Sequence, residues 1–310
     1  MRQYLEKFFA ECSYPDEAAK SLLCDFDKIC ENGEAKKVFD RCIALYEDST
    51  DIDYDGAHKR CGDAAESVGV HRYAGELLIY CCWTRRLKKR YEEKGLPQRV
   101  WLDSVIDLRA KAVECYKMYG VWGSFVCFWF PGFFKLTRFA CGRLQYEFCH
   151  HYATGEPYTK HGVCLVKNET PVVGMHIPSL GPLRHEEVSE SYRLALDFFG
   201  KYYPEYLYNG CLVAECYSWL LYEGLEEILA PSSNILRFKH DFDIVYTGAD
   251  PGFEDCWRLF NKSWDGDASA LPRDTDMQRR YADHLAKGGT AGVGTGILIF
   301  DGEKVLTERA

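Results

Sequence analysis

Over roughly the first 120 positions the apolar residues recur every three or four places without sustained alternation, and that interval predicts helices. Pro15 to Cys30 sets Ala18, Leu22, Phe26 and Ile29 in one stripe, and Glu34 to Tyr46 sets Val38, Cys42 and Leu45 in another, with a turn at Glu31-Asn32-Gly33 between them. Val70 to Glu93 carries Ala74, Leu77, Leu78, Cys81 and Cys82, then a basic run from Arg85 to Arg90, and Gly95-Leu96-Pro97 stops it. Cations suit the negative end of a helix dipole, so the basic run reads as a solvated helix end and not as a binding surface. Pro97 opens a further helix with Leu102, Val105, Ile106, Val113 and Tyr116 on its expected buried stripe. Asp51 to Gly56 starts like a calcium loop, but Gly62 stands where that loop needs a bidentate Glu, which leaves an Asp-rich turn capping the next helix. Tyr73, Tyr80, Trp83, Trp101 and Tyr116 fall at helical spacings and are expected in the core.

Beyond residue 140 the period changes to two. Arg143 to His150 alternates Leu144, Tyr146 and Phe148 against Arg143, Gln145 and Glu147, and His161 to Lys167 and Pro171 to Pro178 are also strand-like. Turns at Gly155-Glu156-Pro157 and Asn168 to Pro171 join the three into an antiparallel meander. A helix from Arg184 to Phe199 follows, with Val188, Tyr192, Ala195, Leu196 and Phe199 inward. Next come a strand at Cys211 to Leu220, a helix near Gly224 to Leu229, a strand at Phe242 to Tyr246 and a last strand at Gly296 to Phe300. The expected class is α+β, a helical N-terminal domain over residues 1–122 followed by a mixed-sheet α/β domain over residues 123–310.

Composition narrows the function classes. With 310 residues, 47% apolar and 27% charged, the chain is a folded globular protein, and a net charge of −9 makes a nucleic-acid partner unexpected. The most apolar window, Val121 to Phe134, falls short of the about 18 residues a membrane helix needs and is broken by Gly123, Pro131 and Gly132; it reads as buried core or a ligand-facing wall. The charged start, MRQYLEKFFAECSYPDEAAK, lacks the apolar centre of a signal peptide, so a cytoplasmic location with the 15 Cys as reduced thiols is expected. No CxxC occurs, and the clusters at His58 with Cys61 and at Cys149 to His151 lack a matching half, so no metal is expected.

An antiparallel meander feeding a helix and then a parallel return strand resembles the core of the GNAT acetyltransferase superfamily. More narrowly, GRLQYE (Gly142 to Glu147), HIPSLGPL (His176 to Leu183), CYSWLL (Cys216 to Leu221) and Pro231 to Asn234 with Phe238 resemble a bacterial family. Its members pair a helical N-acyltransferase N-terminal domain with a GNAT-like C-terminal domain. The resemblance spans nearly the whole chain and implies an enzyme that moves an acyl group from acetyl-CoA or another acyl-CoA to a small amine by direct attack. It implies that pantetheine runs along the strand at Pro171 to Ile177, with Met175 and Ile177 beside it. The pyrophosphate would sit at Ser179, Leu180, Gly181, Leu183, Arg184 and His185, where a helix start offers amides to an anion. Here the chain departs from the superfamily, whose Gln/Arg-x-x-Gly-x-Gly/Ala loop is missing, and Pro182 removes one donor. The glycines from Gly288 to Gly296 are the other candidate phosphate loop, but a strand and not a helix follows them, which favours a turn.

Amine acylation needs a base for the ammonium proton and an acid for the leaving thiolate. His176 is the candidate base, the alternative being a histidine that fixes the Ile177-Pro178 turn. On Cys211 to Leu220 alternation puts Glu215, Tyr217 and Trp219 on one face and Cys216 and Ser218 on the other, so either Glu215 with Tyr217 or the Cys216 and Ser218 face is active. Tyr217 is the candidate acid, or else an ordinary wall residue. Asn234 is a site residue or a helix N-cap. The helical half would wall off the acceptor side. A non-catalytic ligand-binding or interaction protein on the same scaffold is the alternative function, and assembly with further copies is left open.

Overall fold

The computed structural model describes residues 1–153 and 155–309. Two compact units meet in the chain between Phe139 and Ala140. The first unit holds α1 (Arg2–Glu11), α2 (Asp16–Glu31), α3 (Gly33–Asp48), α4 (Tyr54–Glu66), α5 (Arg72–Glu93), α6 (Gln98–Tyr119) and the single turn α7 (Pro131–Phe134). The expected boundary at 122/123 is earlier than this division, because the apolar run ending at Phe134 packs into the helices. Phe130 and Phe134 are fully buried against Tyr80, and Phe134 also meets Tyr46 and Trp83. The α5 helix is buried nearly all round from Ala74 to Thr84, which makes it the centre of this unit. Asp53 caps α4 by accepting from the Gly56 amide, as the Asp-rich turn predicts.

Two expected stripes are out of phase. On α3 the buried face is Ala35, Phe39, Cys42 and Tyr46, while Leu45 is 42% exposed. On α6 it is Trp101, Val105, Leu108, Ala112 and Cys115, while Tyr116 stacks on Trp122 at the surface. The aromatic residues Phe39, Tyr46 and Trp101 take the buried positions, which turns Leu45 and Tyr116 outward.

The second unit contains a seven-stranded sheet. Its strands are β1 (Arg138–Cys141), β2 (Leu144–His150), β3 (Pro171–His176), β4 (Leu207–Tyr208), β5 (Cys211–Ser218), β6 (Asp243–Ala249) and β7 (Gly292–Phe300). They run in the order β1-β2-β3-β5-β7-β6, with β4 pairing only with β5. Helices α8 (His185–Tyr202), α9 (Leu225–Ile228), α10 (Asn234–His240), α11 (Cys256–Phe260) and α12 (Asp276–Ala286) complete the unit. The β3–β5 pair is parallel and its neighbours β2–β3 and β5–β7 are antiparallel, the mixed sheet expected. His161 to Lys167 is not a strand. It lies in a long β2–β3 connection in which a bridge joins Tyr158 to Leu165, and the missing strand of the meander is β1.

Register assigns the two faces. Residues directly opposite one another project to the same side, so Tyr146, Met175, Val173, Ala214, Cys216 and Leu298 share one face. Tyr146 and Phe199 of α8 are in edge contact there, as are Tyr192 of α8 and Phe300 in tilted contact, so α8 covers this side. On the other face Tyr158, Val163 and Leu165 of the β2–β3 connection pack on Val172, Val213, Ile297 and Ile299. Of the Gly288 to Gly296 stretch, Gly292 to Gly296 lie in β7 and Gly288 and Gly289 form the turn that follows α12. A Cβ at Gly294 would fall 2.3 Å from the Leu221 carbonyl oxygen, so close packing explains that glycine. Among the described residues no helix is long and apolar enough to cross a membrane, and no group of three His, Cys, Asp or Glu is placed to hold a metal.

Candidate functional site

The shared register of β3 and β5 consists of Val173 with Ala214 and Gly174 with Glu215. Beyond that row β3 stays paired with β2 as far as His176 opposite Gln145, and β5 stays paired with β7 as far as Ser218 opposite Gly294. Each strand therefore keeps its outer neighbour, while among the described residues no further register pair joins the two central strands. A wedge opens between Met175–Ile177 and Cys216–Ser218.

The wedge leads to the start of α8. The chain from Pro178 to Pro182 is held by Arg143, whose Nη1 donates to Pro178 O at 2.9 Å, Nη2 to Gly181 O at 2.7 Å and Nε to Pro182 O at 3.4 Å. Burial pulls the Arg143 pKa below the usual arginine value, opposed by Glu187, and three carbonyl acceptors are the compensation for a guanidinium out of water. A second anchor is Ser191 of α8, which donates to Cys141 O, accepts from the Leu144 amide at 3.1 Å and shares a 3.0 Å bond with the Tyr146 hydroxyl. Ser179, Gly181, Pro182 and Arg184 are exposed, Leu180 and His185 half-buried and Leu183 buried. Arg184 is the N-cap of α8 without a side-chain cap bond, and its guanidinium pairs with Glu187 at 2.8 Å. Free first-turn amides favour an anion, whereas Glu186 and Glu187 in that turn oppose one.

Of the side chains expected to act, His176, Glu215 and Tyr217 share one face, and Ser218 lies on the other. Glu147, Gly174 and Glu215 form a row across three strands, and His176 and Tyr217 each lie two residues further along on the same side. His176 Nε2 stands 2.8 Å from Glu147 Oε1. Glu215 is buried, and its Oε2 accepts from His151 Nδ1 at 3.1 Å and from the Tyr152 amide at 3.2 Å. Burial raises the Glu215 pKa, and His151 with the amides of Tyr152 and Ala153 offsets part of that. Tyr217 is 56% exposed, and burial of its remaining surface together with Tyr246, Asp250, Asp255 and Glu254 raises its pKa, so it keeps its proton at neutral pH.

The opposite face holds different chemistry. Cys216 is buried beneath α8, and burial pushes its thiol up to about 12, the state of an inert core cysteine. Ser218 accepts from the Leu220 amide at 3.1 Å and so caps the short turn Trp219–Leu221. Trp219 has left the strand and meets the edge of Tyr281. Met175 is buried on the α8 face and Ile177 half-buried. Asn234 is the first residue of α10 and not its N-cap; that place is taken by Ser233, which accepts from the Ile235 amide.

Four residues near this site had no separate signal in the sequence: Arg143, Glu147, His151 and Tyr152. The parity of β2 puts Glu147 on a definite face, but which residue it opposes depends on register. His151, Tyr152 and the acceptors of Arg143 depend on loop paths.

A sequence model of the GNAT-like C-terminal domain matches residues 138–298, and one of the N-acyltransferase N-terminal domain matches residues 3–136. Among solved structures, an acyltransferase in complex with decanoyl-CoA and teicoplanin is similar at 20% identity and a TM-score of 0.70, over 95% of this chain and 87% of that one. An acyltransferase in complex with CoA and 10C-teicoplanin is similar at 21% identity and a TM-score of 0.69, over 94% and 86%. No curated protein matches the sequence.

Proposed function

The chain belongs to the acyltransferase family that joins an N-acyltransferase N-terminal domain to a GNAT-like C-terminal domain, and from that premise we propose that it moves an acyl group from acyl-CoA to a small amine. The observation that carries the reading is the end of the β3–β5 register at Gly174 and Glu215, because an extended pantetheine would run along β3 where no further register pair joins it to β5. Met175 and Ile177 would line the thioester arm. Ser179, Leu180, Gly181, Leu183 and His185 would surround the phosphates, with Arg143 holding the turn in shape and Arg184 adding charge.

The reaction then needs three groups. The amine nitrogen attacks the thioester carbon and its proton passes to His176; the carbon–sulfur bond breaks and the CoA thiolate takes a proton from Tyr217. Glu215, buried and tied to His151, supports the floor between them. Ser218 and Cys216 face away from this chemistry. The relatives' structures hold decanoyl-CoA and teicoplanin, so medium-chain acyl-CoA and teicoplanin belong in the first substrate panel.

Release of free CoA thiol from acetyl-, octanoyl- and decanoyl-CoA, with a panel of amines, tests the proposal. Turnover above the rate without enzyme supports it, and none with any pair refutes it. A ligand-binding protein without transfer is the second reading, favoured by Pro182 and by Glu186 and Glu187 in the first turn of α8, which weaken a phosphate site. That reading requires a thermal shift with a member of the amine panel or with acyl-CoA, and no thiol release from any pair.

A further inference from the structure

Glu147 reaches His176 across a glycine. It stands opposite Gly174 in the β2–β3 register, and its Oε1 lies 2.8 Å from His176 Nε2, with the two side chains 27% and 26% exposed. A Cβ on residue 174 would come within 3.0 Å of Glu147 Cγ and 3.5 Å of both Glu147 Oε1 and Cys149 Cβ, so a side chain there would push on the stem that carries the carboxylate. The other carboxylate of the row, Glu215, lies on the far side of Gly174 and is engaged by His151 and the Tyr152 amide. Cys149 and Tyr152 also face this row, as does Tyr217, whose raised pKa keeps it neutral. Burial and the nearby Glu215 and Glu147 raise Cys149 and Tyr152, which leaves them neutral. Glu147 is therefore a charge in direct contact with the His176 ring.

We propose that Glu147 is a positioning residue for His176, and that Gly174 is glycine to let it reach. This rests on the acyl-transfer reading, in which His176 takes the amine proton. An ionised carboxylate 2.8 Å from Nε2 holds the ring by charge and stabilises the imidazolium as it forms. Proton transfer moves one proton from the attacking nitrogen to the imidazole ring, and Glu147 remains ionised throughout.

Glu147→Gln keeps the shape and removes the charge. The expected result is a kcat lower by about 10- to 100-fold with the acyl-CoA KM unchanged within about twofold, since second-partner losses at histidines are of that size. The acidic limb of the kcat/KM profile moves to lower pH, because the imidazolium loses its counter-charge. Glu147→Asp recovers part of the rate, and Gly174→Ala reproduces the loss without touching either polar group. NMR titration of His176 in the full chain reads the same contact without turnover, with the midpoint lower in Glu147→Gln than in the wild type. An unchanged His176 midpoint together with an unmoved acidic limb overturns the proposal. If the wild type releases no CoA thiol, the transfer reading fails, and the NMR midpoint alone decides the Glu147 contact.

Discussion

One step of strand alternation separates the two candidate faces of β5, and the residues themselves show why they differ. Glu215 and Tyr217 share a side with His176 and Glu147, while Cys216 lies under α8 and the Ser218 hydroxyl is spent on the Leu220 amide. Tyr217→Phe removes a hydroxyl and little volume, so melting temperature and acyl-CoA affinity should hold. Loss of a general acid lowers the rate on the order of 10² to 10⁴, and the loss should appear in kcat. Ser218→Ala should leave kcat within about threefold. Steady-state kinetics on both variants checks this, and a Tyr217→Phe enzyme at full kcat beside an inactive Ser218→Ala enzyme would reverse the assignment of faces. The sequence made the two alternatives legible, since parity needs only one strand. It could not choose between them, because the choice depends on which side α8 covers.

At the scale of elements, periodicity found every long helix of the first unit that it named, and the strands at β2, β3, β5, β6 and β7. It failed where local pattern and tertiary contact diverge. His161 to Lys167 alternates like a strand, yet its Val163 and Leu165 are used to cap the sheet face from a loop. The Arg143 turn is the converse case, since nothing local to GRLQYE announces that its arginine will reach three carbonyls at Pro178 to Pro182. Arg143→Ala removes these charged hydrogen bonds; a bond to a charged group contributes about 1.5 to 3 kcal/mol, and because Gly181 and Pro182 are exposed and can bond water instead, the loss should be about that of one such bond, about 2 kcal/mol. Thermal denaturation should show a fall of roughly 4 to 8 °C for a unit of this size. Arg143→Lys should recover less than half of it, because one ammonium cannot serve three acceptors in a fork. A melting curve unchanged in Arg143→Ala would mean the turn holds its shape without the clamp.

For the whole molecule, family membership, the mixed sheet and the convergence of His176, Glu147, Glu215 and Tyr217 on one face support the same account, in which acyl-CoA enters between β3 and β5. The family was legible from short motifs and element order, and the site only in part, because the wedge is a property of register and a single sequence does not fix register. Hydrogen–deuterium exchange of the full chain, with and without decanoyl-CoA and with no acceptor present, addresses the central claim directly. The account predicts severalfold slower exchange in peptides covering Met175 to Glu187 and Ala214 to Leu220. Unchanged exchange in both stretches at a saturating concentration, or protection confined to residues 1–139, would contradict it.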